Sequence, residues 1–130
     1  RFVVDRQKGL DLAAAFFTAS RSGDLSRIKS MLADDVTLTG AGGGKRPAGL
    51  RVYVGLDEVM AVMARIADAL SREASQLERY CRINGLPGFV TLEPDGVLQT
   101  TALDIRDGRI AAIYVVRNPD KLRHLKASLN

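Results

Sequence analysis

The sequence predicts an α+β fold: a cone made of a strongly bent antiparallel sheet wrapped by about three helices, plus a short C-terminal helix. Apolar residues recur at helical spacing in the first 70 residues, whereas residues 77–116 contain four consecutive strand patterns, two of them with two-residue alternation. Strands that follow one another without intervening helices favour antiparallel pairing. A length of 130 residues suffices for one such domain, residues 1–130, without disulfides.

The first two helices are predicted from an apolar stripe and from capping residues. Leu10, Ala13 and Phe17 share one helical face, and Gly23 is placed to end that helix. Asp24 can then accept a hydrogen bond from the first free N–H groups of a second, short helix. The chain therefore begins with a helical hairpin.

A short hairpin and a third helix follow. Alternation predicts strands over Val36 to Thr39 and Leu50 to Val54, and Asp57 is the predicted N-cap of the helix. The apolar face of this helix comprises Val59, Met63, Ile66 and Leu70. Its spacing predicts a helix of about four turns that packs on the sheet.

The four later strands are separated by turn residues. Asp107-Gly108 favours a type I′ hairpin, and the apolar run from Arg109 to Val116 is typical of a central strand. Leu86-Pro87-Gly88 is read as part of an earlier turn. Cys81 alternates with Leu77 and Ile83, so we expect all three side chains on the core face.

Composition narrows the classes of function. The formal charge is +4, but the chain has no Trp and no basic run interleaved with aromatic residues, so direct nucleic-acid binding is not expected. No apolar run approaches the roughly 20 residues that a membrane span needs. The single cysteine fits a reducing, cytoplasmic location. No cofactor or metal is expected, because no ligand cluster has a recognisable spacing.

The glycine-rich segment that ends in Lys45 is not a P-loop. Only three residues separate Gly40 from Gly44, and Arg46 and Pro47 follow the lysine where Ser or Thr is required. The segment also leads into a strand and not into a helix N-terminus, which would supply the anion site. We interpret it as a flexible hairpin turn whose lysine could contact an acidic partner.

Two short motifs carry a family resemblance. Ala41-Gly42-Gly43-Gly44-Lys45 and Asn118-Pro119-Asp120-Lys121-Leu122 resemble the paired signatures of the SnoaL-like C-terminal domain of one group of extracytoplasmic-function sigma factors, within the nuclear-transport-factor-two-like (NTF2-like) superfamily. Ala41 departs from the usual aspartate of the first signature. Taken without the resemblance, the second motif is a capped start of the C-terminal helix, with Pro119 in its first turn.

The resemblance implies a regulatory, non-catalytic domain that modulates sigma factor activity in transcription initiation. Its partners would be the sigma factor core regions or RNA polymerase. The expected interaction residues are Gly42, Gly43, Gly44, Lys45, Asn118, Pro119, Asp120, Lys121 and Leu122. The 130 residues contain no pattern that fits a helix-turn-helix, so the chain itself is not expected to read a promoter.

Two alternatives remain open. A SnoaL-like cyclase or isomerase would need a buried carboxylate as general base, and Asp104 is the candidate, although it could equally be solvated on the outer face or paired with an arginine. A sensor of a small apolar ligand would need a pocket. The candidate lining residues are Phe16, Phe17, Met60, Met63, Phe89 and Tyr114. The exposed face of the sheet could also pair two copies into a homodimer.

Overall fold

Three helices and six strands make up residues 6–42 and 51–117, the part of the chain that the computed structural model describes. The elements are α1 (Arg6–Ser22), α2 (Leu25–Met31), β1 (Leu32–Gly42), β2 (Arg51–Val54), α3 (Leu56–Arg72), β3 (Gln76–Ile83), β4 (Leu86–Leu92), β5 (Leu98–Arg106) and β6 (Arg109–Arg117). The predicted α+β class with three helices is confirmed. The predicted C-terminal helix lies outside the described residues.

All six strands form one curved, unclosed sheet in the order β2-β1-β6-β5-β4-β3. Every neighbouring pair is antiparallel, as expected, except β1 and β6, which run parallel. A hairpin forces its two strands to be antiparallel, but β1 and β6 are far apart in sequence and are free of that constraint. The last strand therefore lies in the middle of the sheet, between β1 and β5.

The helix ends follow local capping chemistry. Gly23, with φ of 72°, ends α1, and Asp24 accepts a hydrogen bond of 3.1 Å from the backbone N–H of Arg27. The predicted cap Asp57 is wrong, because Gly55 is the N-cap and α3 begins two residues earlier than predicted. Glu58, in the first turn, accepts from the N–H of the last β2 residue at 3.1 Å.

Two tight hairpins fix the register of the last four strands. Asp107 and Gly108 both have positive φ, of 52° and 76°, as a type I′ turn requires. Asn84-Gly85 forms the same kind of turn, with φ of 51° and 84°. Leu86, predicted as part of the turn, already pairs with Ile83 as the first residue of β4.

The main core lies between the helices and the concave face of the sheet. Its most deeply buried side chains, each exposed by no more than 1%, are Ala13, Ala19, Ile28, Leu32, Val36, Val59, Leu103, Ile110 and Ile113. At about 25 cal/mol per Å² of apolar surface removed from water, this shared burial is the main stabilising contribution to the fold. All three helices supply residues to it, so each one is held against the sheet.

A β-bulge in β3 reverses the predicted face of Cys81. The pairing of β3 with β4 shifts between Leu77 and Arg79, where β3 contains one extra residue. Each side chain after this point therefore lies on the face opposite to the one that strict alternation predicts. Leu77 and Tyr80 consequently pack against the main core, whereas Cys81 packs with Val90 on the other side of the sheet. The prediction that Cys81 shares the core face with Leu77 is therefore wrong.

Candidate functional site

A cavity of about 90 Å³ lies between α1, α3 and the concave face of the sheet. The lining residues are Phe16, Phe17, Ser20, Arg21, Leu38, Met63, Ile66, Leu70, Ser75, Phe89, Thr91, Glu93, Gln99, Thr101, Ile113 and Val115. Most of the lining side chains are buried, whereas Arg21 and Ile66 are exposed and Phe17, Leu70, Glu93, Gln99 and Val115 are half-buried. We refer to Arg21, Ile66, Leu70, Glu93 and Gln99 as the cavity mouth.

Aromatic side chains from α1 and the sheet form one wall. The rings of Phe17 and Phe89 meet edge to face with centroids 5.2 Å apart, and Phe16 and Tyr80 each lie 6.4 Å from Phe89. Adjacent phenylalanines on α1 both reach the sheet because the helix lies across the concave face. Edge-to-face pairs of this kind contribute about 0.5–1.5 kcal/mol each beyond their burial, so the wall is well ordered.

The mouth carries two charged groups of opposite sign. Arg21 donates a hydrogen bond of 2.6 Å to the carbonyl of Ser75, and its guanidinium lies 5.4 Å from the centre of the Phe17 ring. The hydroxyl of Thr91 donates a hydrogen bond of 2.6 Å to the Glu93 carboxylate. The polar groups at the mouth are thus held in place by contacts with the walls.

A shallow recess of about 390 Å³ adjoins the mouth and shares Glu93 and Gln99 with it. Its wall includes an ion pair between Asp95, in the turn after β4, and Arg117, the last residue of β6. The hydrogen bond from Arg117 lowers the pKa of Asp95 from its usual value of 3.8. The Nε atom of Arg117 is buried and has no acceptor among the described residues.

The two strands that lead into the sequence motifs end side by side: β1 contains Ala41 and Gly42 of the first motif, and β6 ends just before the second. Gly42, the last residue of β1, is the register partner of Arg117 in the parallel pair. In the sequence, Gly43 and Asn118 are the next residues. Gly42 is the one predicted interaction residue within the described strands; Gly43, Gly44, Lys45, Asn118, Pro119, Asp120, Lys121 and Leu122 lie outside the described residues.

The six side chains predicted to line a pocket occupy three kinds of position in the structure. Those that line the cavity are Phe16, Phe17, Met63 and Phe89. Met60 packs against the core without reaching the cavity. Tyr114 is a wrong prediction: it is 40% exposed, because its neighbours Ile113 and Val115 point into the cavity and side chains alternate along a strand.

Asp104 does not face the cavity. It follows the core residue Leu103 on β5 and so points to the opposite side of the sheet, where its carboxylate lies 3.4 Å from the guanidinium of Arg106. Its side chain is 30% exposed. The environment that a general base would need, an apolar cavity that raises its pKa, is therefore not the environment of Asp104.

Within residues 6–42 and 51–117, no three His, Cys, Asp or Glu side chains cluster closely enough to bind a metal ion. None of the helices described there combines the length and the apolar character that crossing a membrane demands.

Several polar residues of the site were not predicted. Thr91 and Thr101 are buried to 2% and 4% exposure and line the cavity, yet in sequence they are unremarkable strand residues. The available signal is that Thr101 alternates with Leu103, which places a hydroxyl on an apolar face. Glu93 and Gln99 belong to the site only because β4 and β5 pair in the observed register.

Comparison with known proteins finds a sigma factor. The chain is 29% identical to the ECF RNA polymerase sigma factor SigJ of Mycobacterium tuberculosis, over 85% of this chain and 38% of SigJ. The crystal structure of SigJ matches with a TM-score of 0.66, over 91% of this chain and 44% of that one. This chain thus spans less than half the length of SigJ. No protein-family model matches the sequence.

More distant solved structures share the fold alone. A SnoaL-like protein of unknown function from Burkholderia thailandensis matches with a TM-score of 0.69 at 13% identity, over 89% of this chain and 99% of that one. An NTF2-like protein of unknown function from Mesorhizobium loti matches with a TM-score of 0.66 at 15% identity, over 90% and 97% of the two chains. The chain therefore has the NTF2-like fold of the SnoaL type, and its sequence resembles that of the sigma factor SigJ.

Proposed function

We propose that this chain is a regulatory, non-catalytic interaction domain that modulates a sigma factor in transcription initiation, with residues 1–130 as one domain. The similarity to SigJ over 85% of the chain supports this assignment. Because the chain corresponds to 38% of SigJ, its partners would be sigma factor core regions or RNA polymerase. Bacterial transcription takes place in the cytoplasm, which is the proposed location.

The pairing of Gly42 with Arg117 is the observation that carries the proposal. Parallel strands bring their carboxyl ends to the same edge of a sheet, and binding residues tend to follow such ends. Asn118, the first residue of the second motif, lies 76 positions after Gly42 in the sequence. The strands β1 and β6 that lead into the two motifs nevertheless end as register neighbours. One partner surface could therefore contact both, with Lys45 and Lys121 supplying positive charge.

The position of Asp104 supports the non-catalytic part of the proposal. The enzymatic alternative depended on this carboxylate as a base inside the cavity, and the carboxylate instead pairs with Arg106 on the other face of the sheet. The predicted homodimer stays a prediction. Tyr114 and Val52, exposed by 40% and 53%, lie on that outer face and would be its first contacts to examine.

Charge reversal at the two motif lysines tests the proposal. The Lys45→Glu, Lys121→Glu double variant should lower binding to an acidic partner surface and change promoter output severalfold in the full gene product that contains this sequence. Lysines that contact a partner must reach solvent in its absence, so under this proposal the thermal midpoint should hardly move: exposed charge changes usually alter stability by less than about 0.5 kcal/mol.

The matched control is Lys8→Glu with Lys29→Glu, which makes the same change in net charge at exposed positions on α1 and α2. Promoter output should remain at the wild-type level in this control. Equal output from the wild type and the motif double variant, at equal stability, would reject the regulatory surface. Equal losses in both double variants would attribute the effect to net charge alone.

A further inference from the structure

The outer face of the sheet, opposite the helices, has a buried part. Val90 on β4 and Leu98 on β5 are exposed by only 1% and 4%, and Cys81 and Leu92 pack with them. This second cluster contains strand residues alone, because the buried apolar residues of the described helices belong to the main core on the concave face. The described helices therefore do not account for its burial.

The rest of the same face is open to solvent. Val52 and Val54 on the edge strand β2 are 53% and 58% exposed, and Tyr114 on β6 is 40% exposed. Thr100, the register partner of Val90, is in contrast only 7% exposed, although a side chain in the middle of an uncovered face keeps part of its surface in water. We refer to the buried part as the covered patch; it comprises Cys81, Val90, Leu92, Leu98 and Thr100.

The C-terminal segment, residues 118–130, continues the chain next to this patch. Arg117 ends β6 and is the register partner of Gln99, the residue that follows Leu98 on β5. Neighbouring strands of a sheet lie roughly 4.8 Å apart. The 13 residues of the segment would measure about 20 Å as a helix, which is enough to cross β5, β4 and β3.

The segment has the apolar stripe that such a surface requires. Leu122, Leu125 and Leu129 follow one another at spacings of three and four residues, which puts them on one side of a helix. Arg123 and Ala127 fall on the opposite side. Most of the stability of an amphipathic helix comes from the packing of its apolar side, and the covered patch is an apolar surface beside its start.

Other occupants of the patch fit the observations less well. Residues 43–50 connect β1 to β2, and the outer face is exposed over β2. Residues 1–5 precede α1, which packs on the concave face, so they would have to pass round an edge of the sheet. The burial is already complete within one chain, so a second copy is not what covers the patch.

We propose that residues 118–130 form an amphipathic helix whose three leucines dock on the covered patch. Docking assigns separate roles within the second motif: Leu122 anchors the segment to the sheet, and Lys121 lies beside the contact, within reach of a partner. This division of roles rests on the proposed function, whereas the docking itself does not. Docking also confines the predicted homodimer contact to the exposed part of the outer face, around Val52 and Tyr114.

Methyl NMR of the full 130-residue chain identifies the occupant. Nuclear Overhauser effects should connect the methyl groups of Leu125 and Leu129 with those of Val90 and Leu98. In a sample that mixes two labelling patterns, these effects should arise within one chain. Effects between Val90 and residues 1–5, effects that occur only between chains, or the absence of effects from both leucines would each overturn the docking.

The thiol of Cys81 provides a second readout, because Cys81 is the single cysteine of the sequence and packs in the covered patch. Leu125→Asp puts a charge into the proposed contact and should raise the rate of alkylation by iodoacetamide at least fivefold. Ala127→Asp is the matched control: it makes the same change of charge on the opposite side of the helix and should stay within twofold of the wild type. Equal rates in the two variants would overturn the docking.

Unfolding of the whole domain would also expose the thiol, so the fold of each variant is checked first. The backbone amides of Val36 and Leu103, both fully buried, should still exchange slowly in Leu125→Asp. If Leu125→Asp does not fold, the Overhauser effects in the wild-type chain decide the proposal.

The docking and the proposed function can fail separately. In the full gene product, Leu125→Asp should change promoter output severalfold and Ala127→Asp should not; unchanged output in folded Leu125→Asp would overturn the division of roles in the motif. Promoter output that is insensitive to the motif lysines would reject the regulatory function while the Overhauser effects stand. Absence of those effects would reject the docking while the lysine double variant still alters promoter output.

Discussion

Replacing Gly88 with alanine should be the most damaging single-methyl addition among the glycines in described strands. A Cβ at this position would lie 2.1 Å from the carbonyl oxygen of Thr101 and 3.1 Å from the Cα of Ala102. Both are backbone atoms of the neighbouring strand β5, and Gly88 is the register partner of Ala102. The clash is relieved only if β4 and β5 separate by about 0.9 Å, the difference between 2.1 Å and the 3.0 Å lower limit of real Cβ contacts.

We expect this substitution to cost about 3 kcal/mol, the upper end of the range for overpacking, because backbone has little room to move. For a domain of this size that loss lowers the thermal midpoint by roughly 10 °C. The matched control is Gly40→Ala in β1, where nothing lies within 4 Å of the added carbon; it should be neutral or slightly stabilising. Urea and thermal unfolding of both variants provide the measurement. Equal midpoints for Gly88→Ala and the wild type would refute the steric argument.

Two further substitutions test the cap and the ion pair. Asp24→Ala should lower the free energy of unfolding in urea by about 1 kcal/mol, because the N–H of Arg27 loses its acceptor. Asp24→Asn keeps an acceptor and should have nearly the wild-type stability. Equal losses of stability in the two variants would contradict the cap. Asp95→Asn should cost less than about 1 kcal/mol at pH 7, since the Asp95 side chain is 56% exposed and solvent screens its pair with Arg117. The pKa of Asp95 is lowered on folding by the hydrogen bond from Arg117, so its contribution to stability is present above its usual value of 3.8 and is lost as the pH falls through the folded pKa. A difference from the wild type that does not shrink as the pH is lowered below 3.8 would contradict the ion pair.

Features that depend on neighbouring residues were predictable from the sequence. Asp107-Gly108 forms the predicted hairpin because both residues tolerate positive φ, and Asp24 caps α2 because its short carboxylate reaches the N–H three residues ahead. The N-terminal boundary of α3 lies two residues earlier than predicted, since Gly55 occupies the N-cap without making a side-chain hydrogen bond. Local chemistry therefore indicates where an element exists better than it indicates where the element begins.

Features that depend on distant residues were not predictable in the same way. Strict alternation placed Cys81 on the core face, and a single extra residue between Leu77 and Arg79 reversed it. The pocket illustrates the same limit. Its aromatic wall was predicted from residue type, but the polar mouth arises from strand register, which brings Gln99 beside Arg117. The aromatic character of Tyr114 favours a place in the pocket, but its alternation with the buried Ile113 puts its side chain on the outer face.

The central position of β6 has a consequence for how the chain folds. β1 pairs with β6 through contacts such as Thr37 with Ala112, roughly 75 residues apart, so the sheet cannot be completed until the last strand has been synthesised. Until then the core lacks Ile110 and Ile113, and the edges of β1 and β5 are both unpaired. Contacts this distant slow folding, and unpaired strand edges favour association between chains. Before β6 is synthesised, the β1–β2 pair and the three helices have no connection to the rest of the sheet. In that interval the chain is most susceptible to proteolysis and to self-association.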